Sequence, residues 1–225
     1  MQTTTRHIRS FVLRQGRLTS AQETALEQLW PYYGIELQST PIQFDNYFPH
    51  SAPLIVEIGF GNGLSLAAMA EQHPAMNFLG IEVHRPGVGR LLTELAQRQI
   101  SNVRICHADA VLVLQQCIAH NSLAGINIFF PDPWPKKRHH KRRLIQPEFV
   151  ALLYQKLQPQ GQLHLATDWQ PYAQHMLEVL SAHPYLTNLA GDSLFMPAGY
   201  NRPVTKFETR GHRLGHGVWD LVFIK

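Results

Sequence analysis

LIVEIGFGNGLSLAAMAEQ, residues 54–72, decides the fold. Residues 54–58 are an apolar run with a single acid, Glu57, which predicts a buried strand. Residues 64–72 have helical periodicity, and Pro74 stops it. Between the two lie Gly59, Gly61 and Gly63, at alternate positions. Glycine takes positive φ without steric cost and lets a backbone approach a ligand closely. Strand, glycine turn and helix in that order make the opening unit of a parallel α/β sheet.

The same alternation continues downstream. Strands are expected at 77–83, 102–106, 126–130, 161–167 and within 217–225. Helices are expected at 87–98, 110–120, 147–157 and 170–182. In the first of these, Val88, Leu91, Leu92 and Leu95 share one face; Pro147 and Pro171 suit the first turns of the last two. The expected fold is therefore an open α/β sheet with helices on both faces. Ligands in such sheets bind beyond the carboxyl ends of the strands. An acid stands at or just after each of five strands in turn: Glu57, Glu82, Asp109, Asp132 and Asp168.

The glycine turn constrains the ligand. Dinucleotide turns have the spacing GxGxxG, whereas Leu64 stands where their third glycine belongs. GxGxG with an acid two residues before it resembles the S-adenosylmethionine (SAM) turn of Rossmann-like methyltransferases. SAM carries an ammonium and a sulfonium, which Glu57 would attract, whereas Glu57 would repel a pyrophosphate. Glu82 is placed for ribose hydroxyls. Asp109, followed by Ala110, reads either as an acceptor for the adenine amino group or as a helix N-cap.

The second informative stretch is NIFFPDPWPKKRHHKRR, residues 127–143. The chain has a net charge of +4, with 20 Lys/Arg and 16 Asp/Glu. Residues 136–143 hold six of those cations and no acid, so outside them 14 basic residues face 16 acidic ones. The whole positive excess sits in one segment, which points to a polyanionic partner. Just before it, Pro131 and Pro133 restrict the backbone around Asp132. Trp134 offers a flat stacking surface. A held carboxylate, a stacking face and a phosphate clamp suit nucleobase chemistry beside a polyanion. The alternative makes Asp132 a cap, Trp134 a core residue and 136–143 a solvated charge run. His139 and His140 lack acidic or cysteine partners, and no metal is expected.

Taken together, RSFVLRQGRLT (9–19), EIGFGNG (57–63), GIEVHRPGVG (80–89), FFPDPWPKKRHHKRRL (129–144), ATDWQPYA (166–173) and RPVTKFETRGHRLGHGVWDL (202–221) resemble the bacterial tRNA (guanine-N7-)-methyltransferases along nearly the whole chain. The resemblance implies a Rossmann-like class I SAM-dependent methyltransferase. Its sheet would be mostly parallel and seven-stranded, with an antiparallel C-terminal strand. The implied reaction is methylation of guanine N7 in the tRNA variable loop. By match, Glu57, Gly59, Gly61, Gly63, Glu82, Asp109, Ala110 and Asp132 fall on SAM-contacting positions, and Asp132 also on the catalytic one. Lys136, Asp168, Thr205, Lys206, Phe207 and Glu208 fall on substrate-contacting positions. Arg138, His139, His140, Lys141, Arg142 and Arg143 fall on the RNA-contacting region. Structural alternatives stay open for Asp168, as the cap of helix 170–182, and for Glu208, paired with Arg210 or Arg213.

The chain has 225 residues, 44% of them hydrophobic, enough for one globular domain with a real core. Residues 1–45 are expected to form a basic N-terminal arm and helix packed on a single methyltransferase domain, 46–225. The first seventeen residues hold four Arg and no acid; by composition alone they also read as a transit peptide. Two cysteines, Cys106 and Cys117, are too few for a disulfide framework, so a cytoplasmic setting is expected. A monomer is expected, with a homodimer as the alternative, and no membrane contact. Rival readings are a SAM enzyme acting on a small molecule or protein, with the basic loop incidental, an RNA-binding module without activity and a nicotinamide oxidoreductase. The basic cluster disfavours the first, the cofactor acids the second and the glycine spacing the third.

Overall fold

The computed structural model of the chain describes residues 10–11, 16–204, 208 and 217–225. Five strands run parallel: β1 (Leu54–Ile58), β2 (Asn77–Ile81), β3 (Val103–Cys106), β4 (Leu123–Phe129) and β5 (Leu157–Thr167). With β6 (Thr187–Asn188) and β7 (Trp219–Ile224) they form a seven-stranded sheet of order β3-β2-β1-β4-β5-β7-β6. Only β7 is reversed, antiparallel to both neighbours. The chain winds outward from β1 to β3, then returns to lay β4 on the other side of β1. The carboxyl ends of β1 and β4 thus flank the crevice where such sheets hold ligands.

Among the described residues seven α-helices pack around the sheet: α1 (Ser20–Gln28), α2 (Trp30–Tyr33), α3 (Leu64–Gln72), α4 (Arg85–Gln97), α5 (Ala110–Gln116), α6 (Pro147–Lys156) and α7 (Gln170–Ser181). Side chains alternate along each strand. Val56, Ile58, Leu79, Ile81, Ile126 and Ile128 enter one core, with residues of α5, α6 and α7. Phe78, Val103 and Ile105 enter the other, with Leu66 of α3 and Val88, Leu91, Leu92 and Leu95 of α4. Each of the three α4 leucines is fully buried and contributes about 1.5–3 kcal/mol. The alternation sends Glu57 to this second face, where its register partners are Gly80 and Asn127.

Residues 16–53, before β1, pack on the body. A capping box at Thr19 and Gln22 starts α1, and the Gln22 amide donates to the Pro86 carbonyl at the head of α4 (3.0 Å). Further on, the Ile35 N–H donates to the Ile105 carbonyl (2.8 Å) and covers the outer edge of β3.

Two expected boundaries differ most from the structure. The helix expected at 110–120 ends at Gln116. There the Cys117 carbonyl accepts from Ile42 N–H (2.8 Å), and its thiol donates to the Gln38 carbonyl (3.3 Å). The strand expected at 161–167 begins at Leu157. Its register with β4 jumps from Leu123↔Leu157 to Gly125↔Gln162, so a bulge absorbs the turn-like residues 158–161. Among the described residues, no helix is long and apolar enough to cross a membrane.

Candidate active site

The turn after β1 takes the conformation its glycines permit. Gly59, Gly61 and Gly63 have φ of 74°, 60° and 74°. Its fold is held from outside by Glu82, at the end of β2. Glu82 Oε2 accepts from Gly61 N–H (2.8 Å), while Oε1 accepts from Val83 N–H (2.7 Å) and His84 N–H (2.9 Å). Gly87, in the first turn of α4, seats against the Gly61 carbonyl, and a Cβ there would collide with it. Glu82, expected to face ribose hydroxyls, thus also clamps the turn that forms the site.

Two adjoining cavities share Gly59, Phe129 and Phe130. The first brings together Gly59, Glu82, Asp109, Ala110 and Asp132, five of the expected cofactor residues, and is also lined by Ser10 and Phe11. Asp109 is the N-cap of α5, its Oδ1 accepting from Val111 N–H (2.9 Å), and it also lines the cavity. The second cavity is lined by Glu57, Gly61, Asn62 and Ser65. Gly63 lies just behind it, against Leu91, where no side chain fits.

Glu57 is the electrostatic oddity of the site. It is 3% exposed, and its Oε2 has no hydrogen-bond partner. Burial, and then the charge of Glu82, push its carboxyl up to about 8. The Ser65 hydroxyl, in the first turn of α3, is also buried and partnerless. Two unsatisfied polar atoms beside one cavity leave hydrogen bonds for a ligand or ordered water to complete. A cationic ammonium with its N–H groups fits there, so the residues present suit SAM.

Asp132 stands exposed on the rim of the first cavity, between its two prolines. Just before it, Phe130 has φ 51°, unusual for a bulky side chain, and its N–H donates to the Ala166 carbonyl of β5 (2.8 Å). Beyond Asp132 the structure departs from expectation at Trp134 and Arg143. Trp134 is not a bare platform. The Arg142 guanidinium lies 4.4 Å from the centre of its ring, His139 meets it edge-on, and its indole N–H donates to the Ser10 carbonyl (3.1 Å). Arg143, expected on the RNA-facing surface, is 4% exposed. It donates to the Pro133 carbonyl (3.0 Å), contacts His140 Nε2 (3.2 Å) and lies over the Tyr172 ring. It braces the loop from within.

The exposed cations are Lys136, Lys137, Arg138 and Lys141, on and just before a short 3₁₀ turn, Lys137–Arg142. Partial burial, then Arg138, Arg142, Lys136 and Lys141, hold the His139 imidazole below its ordinary range.

Asp168 follows β5 and is half-buried. It does not cap α7, whose N-cap is Trp169 with no side-chain cap bond. Glu208 is buried and ion-paired with Arg202 (2.6 Å), a partner that neither alternative, Arg210 nor Arg213, anticipated. Thr205, Lys206 and Phe207 lie outside the described residues. Ser65, Phe130 and Arg202 escaped the sequence reading. Ser65 alone had a local signal, its place one residue into the helix after the glycine turn. Among the described residues no group of three or more His, Cys, Asp or Glu is placed to hold a metal ion.

Sheet order, glycine turn and acid-lined crevice define the fold of the SAM-dependent methyltransferases. The 16S rRNA methyltransferase KamB superposes with a TM-score of 0.53 at 14% identity, covering 93% of this chain and 94% of that one. A putative methyltransferase from Streptococcus mutans, in complex with SAH, gives 0.51 at 10% identity, over 78% and 89%. A family model described as a putative methyltransferase matches residues 51–221. The tRNA (guanine-N(7)-)-methyltransferase of Hydrogenovibrio crunogenus is 54% identical over 218 residues, 97% of this chain and 91% of that protein. That of Alcanivorax borkumensis is 55% identical over 220 residues, 98% and 92%. The chain belongs to the tRNA (guanine-N7-)-methyltransferase family.

The Glu57 environment has a measurable consequence. The folded protein holds the Glu57 proton up to about pH 8, whereas the unfolded chain releases it near 4.5. Between those values the unfolded state binds fewer protons, so the Glu57 contribution to stability declines as pH rises. Urea unfolding from pH 5 to 9 should show Glu57→Gln flattening that decline relative to the parent chain. Parallel curves would mean that Glu57 is not buried as described.

Proposed function

We propose that this chain methylates N7 of a guanine in the tRNA variable loop, with SAM as donor. The reading rests on the continuity of one segment. Phe130, Pro131 and Asp132 line the crevice, and within a few residues the same segment carries Lys136, Lys137, Arg138 and Lys141 exposed to solvent. Relatives over 50% identical across nearly the whole chain carry the corresponding name.

When bound, SAM supplies an electrophilic methyl carbon on a sulfonium, to which the in-plane lone pair of N7 bonds while the C–S pair stays on sulfur. N7 carries no proton at neutral pH, so the chain needs no general base there. Its residues bind, orient and compensate charge. Glu57 and Ser65 satisfy their buried oxygens on the donor's amino-acid end, and Asp109 and Ala110 hold the adenine. Glu82 keeps the glycine turn closed and retains a lone pair on Oε2 for a ribose hydroxyl. Asp132, held between prolines, fixes the near-attack geometry and stabilises the positive charge that moves onto the purine. Asp168, with no cap bond to make, is assigned to the guanine N1–H and N2–H₂ donors, an edge adenine lacks. Lys136, Lys137, Arg138 and Lys141 grip phosphates, with Arg142 and Arg143 bracing them from behind.

The assay is direct. Tritiated SAM and tRNA lacking the modification should give label incorporation, and borohydride followed by aniline should cleave the strand at N7-methylguanosine. Label without cleavage would move the reaction to another atom; no label would sink the reading.

Asp132→Asn keeps shape and removes charge. Its kcat should fall by about 10²-fold or more, with the donor Kd raised severalfold. Wild-type values for both would remove Asp132 from the chemistry.

Charge removal at Lys137, Arg138 and Lys141 together should weaken tRNA binding and lower the log–log salt slope by about 3. Donor binding should not change. An unaltered slope would place the RNA elsewhere.

A further inference from the structure

Arg202 lies outside both cavities, yet it contacts the wall that they share. Its side chain is fully buried. Nε and a terminal nitrogen donate to the two oxygens of Asp220 on β7 (2.6 and 2.9 Å). The other side of the guanidinium donates to the two oxygens of Glu208 (2.6 and 3.3 Å). Its plane lies 5.6 Å from the ring centre of Phe129 and 5.3 Å from that of Phe130. Asp220 is fixed in turn by His164 Nε2 on β5 (3.0 Å) and Gly199 N–H (2.8 Å).

These contacts join two parts that the chain keeps far apart, the Phe129–Phe130 wall and the C-terminal segment from Arg202 onward. Phe129 and Phe130 form the wall common to both cavities and lead directly to Asp132. Pro203 and Val204, immediately after Arg202, line the Glu57 cavity. Glu208 belongs to the C-terminal motif. A buried arginine with two carboxylates is poor value as plain stabilisation, because desolvation cancels most of the Coulomb gain. It does fix register, since a planar fork bonded on two sides leaves little freedom in angle or distance. The strained Phe130 backbone, with positive φ directly before a proline, needs surroundings that over-determine it, and the guanidinium supplies one face of them.

We infer that Arg202 is a positioning residue for methyl transfer. By tying Glu208 and Asp220 to the Phe129–Phe130 wall, it sets where Asp132 stands relative to the methyl donor and the target base. The inference rests on the functional reading above. It predicts an effect on the rate of the bound complex and little effect on its formation.

Arg202→Lys keeps the charge and loses the fork and the planar stack. The full chain should then show kcat reduced about tenfold or more, with the SAM Kd by titration and the tRNA KM each within about threefold of wild type. Asp220→Asn, which keeps shape and removes one arm's charge, should give the same split and serves if the lysine variant does not fold. Wild-type kcat in the folded variant would overturn the inference. So would parallel loss of melting temperature, SAM binding and tRNA binding, which marks a purely structural role. If the wild-type chain itself forms no N7-methylguanosine, the functional reading fails instead, and the two failures are told apart in one experiment.

Discussion

The ligand end of the sheet depends on the carboxylate of Glu82. A turn with three glycines at positive φ has no intrinsic reason to hold one shape. Glu82 supplies the reason by accepting three backbone N–H groups, one from the turn and two from the start of the connection into α4. Bonds of this charge-assisted kind are worth about 1.5–3 kcal/mol each. They join the ends of β1 and β2 and fix the mouth of the crevice. Gly87 completes the joint by letting α4 approach the Gly61 carbonyl.

Two other buried acids show how environment divides labour among similar groups. Asp220 is fully buried. Burial alone pushes its carboxyl up, but bonds from His164 and Arg202, with the Arg202 charge, more than offset this and hold it below the ordinary carboxylate range. Its demands are met inside the protein, so it acts as a fixed reference point. Glu57 is equally dry, and one of its oxygens goes without a partner. Glu57 thus keeps an unmet carboxyl oxygen beside the second cavity, whereas Asp220 has none.

The loop after β4 combines both themes. Its carboxylate, Asp132, faces the crevice, and its exposed cations face solvent a few residues away. Arg142 and Arg143 do not belong to that outer surface in the same way. Arg142 covers the Trp134 ring, and Arg143 turns inward to the Pro133 carbonyl and Tyr172. A run of like charges thus splits into a gripping part and a bracing part, and the bracing part keeps the proline turn stiff.

Strand–helix alternation, the glycine turn and the acids at strand ends were legible in the amino-acid order, because each is a local pattern with a period or a spacing. From it followed the α/β class, the position of the crevice and the gathering of Glu82, Asp109 and Asp132 around it. The bulge inside β5 was not legible, since residues 158–161 read as a turn and only pairing with β4 makes them strand. Nor were the inward turn of Arg143 or the partnership of Arg202 with Glu208 and Asp220. No spacing rule distinguishes an arginine that meets phosphate from one that meets a buried carboxylate. That choice is made by which side chains the fold brings within about 3 Å of each other, and so tertiary structure alone decided it.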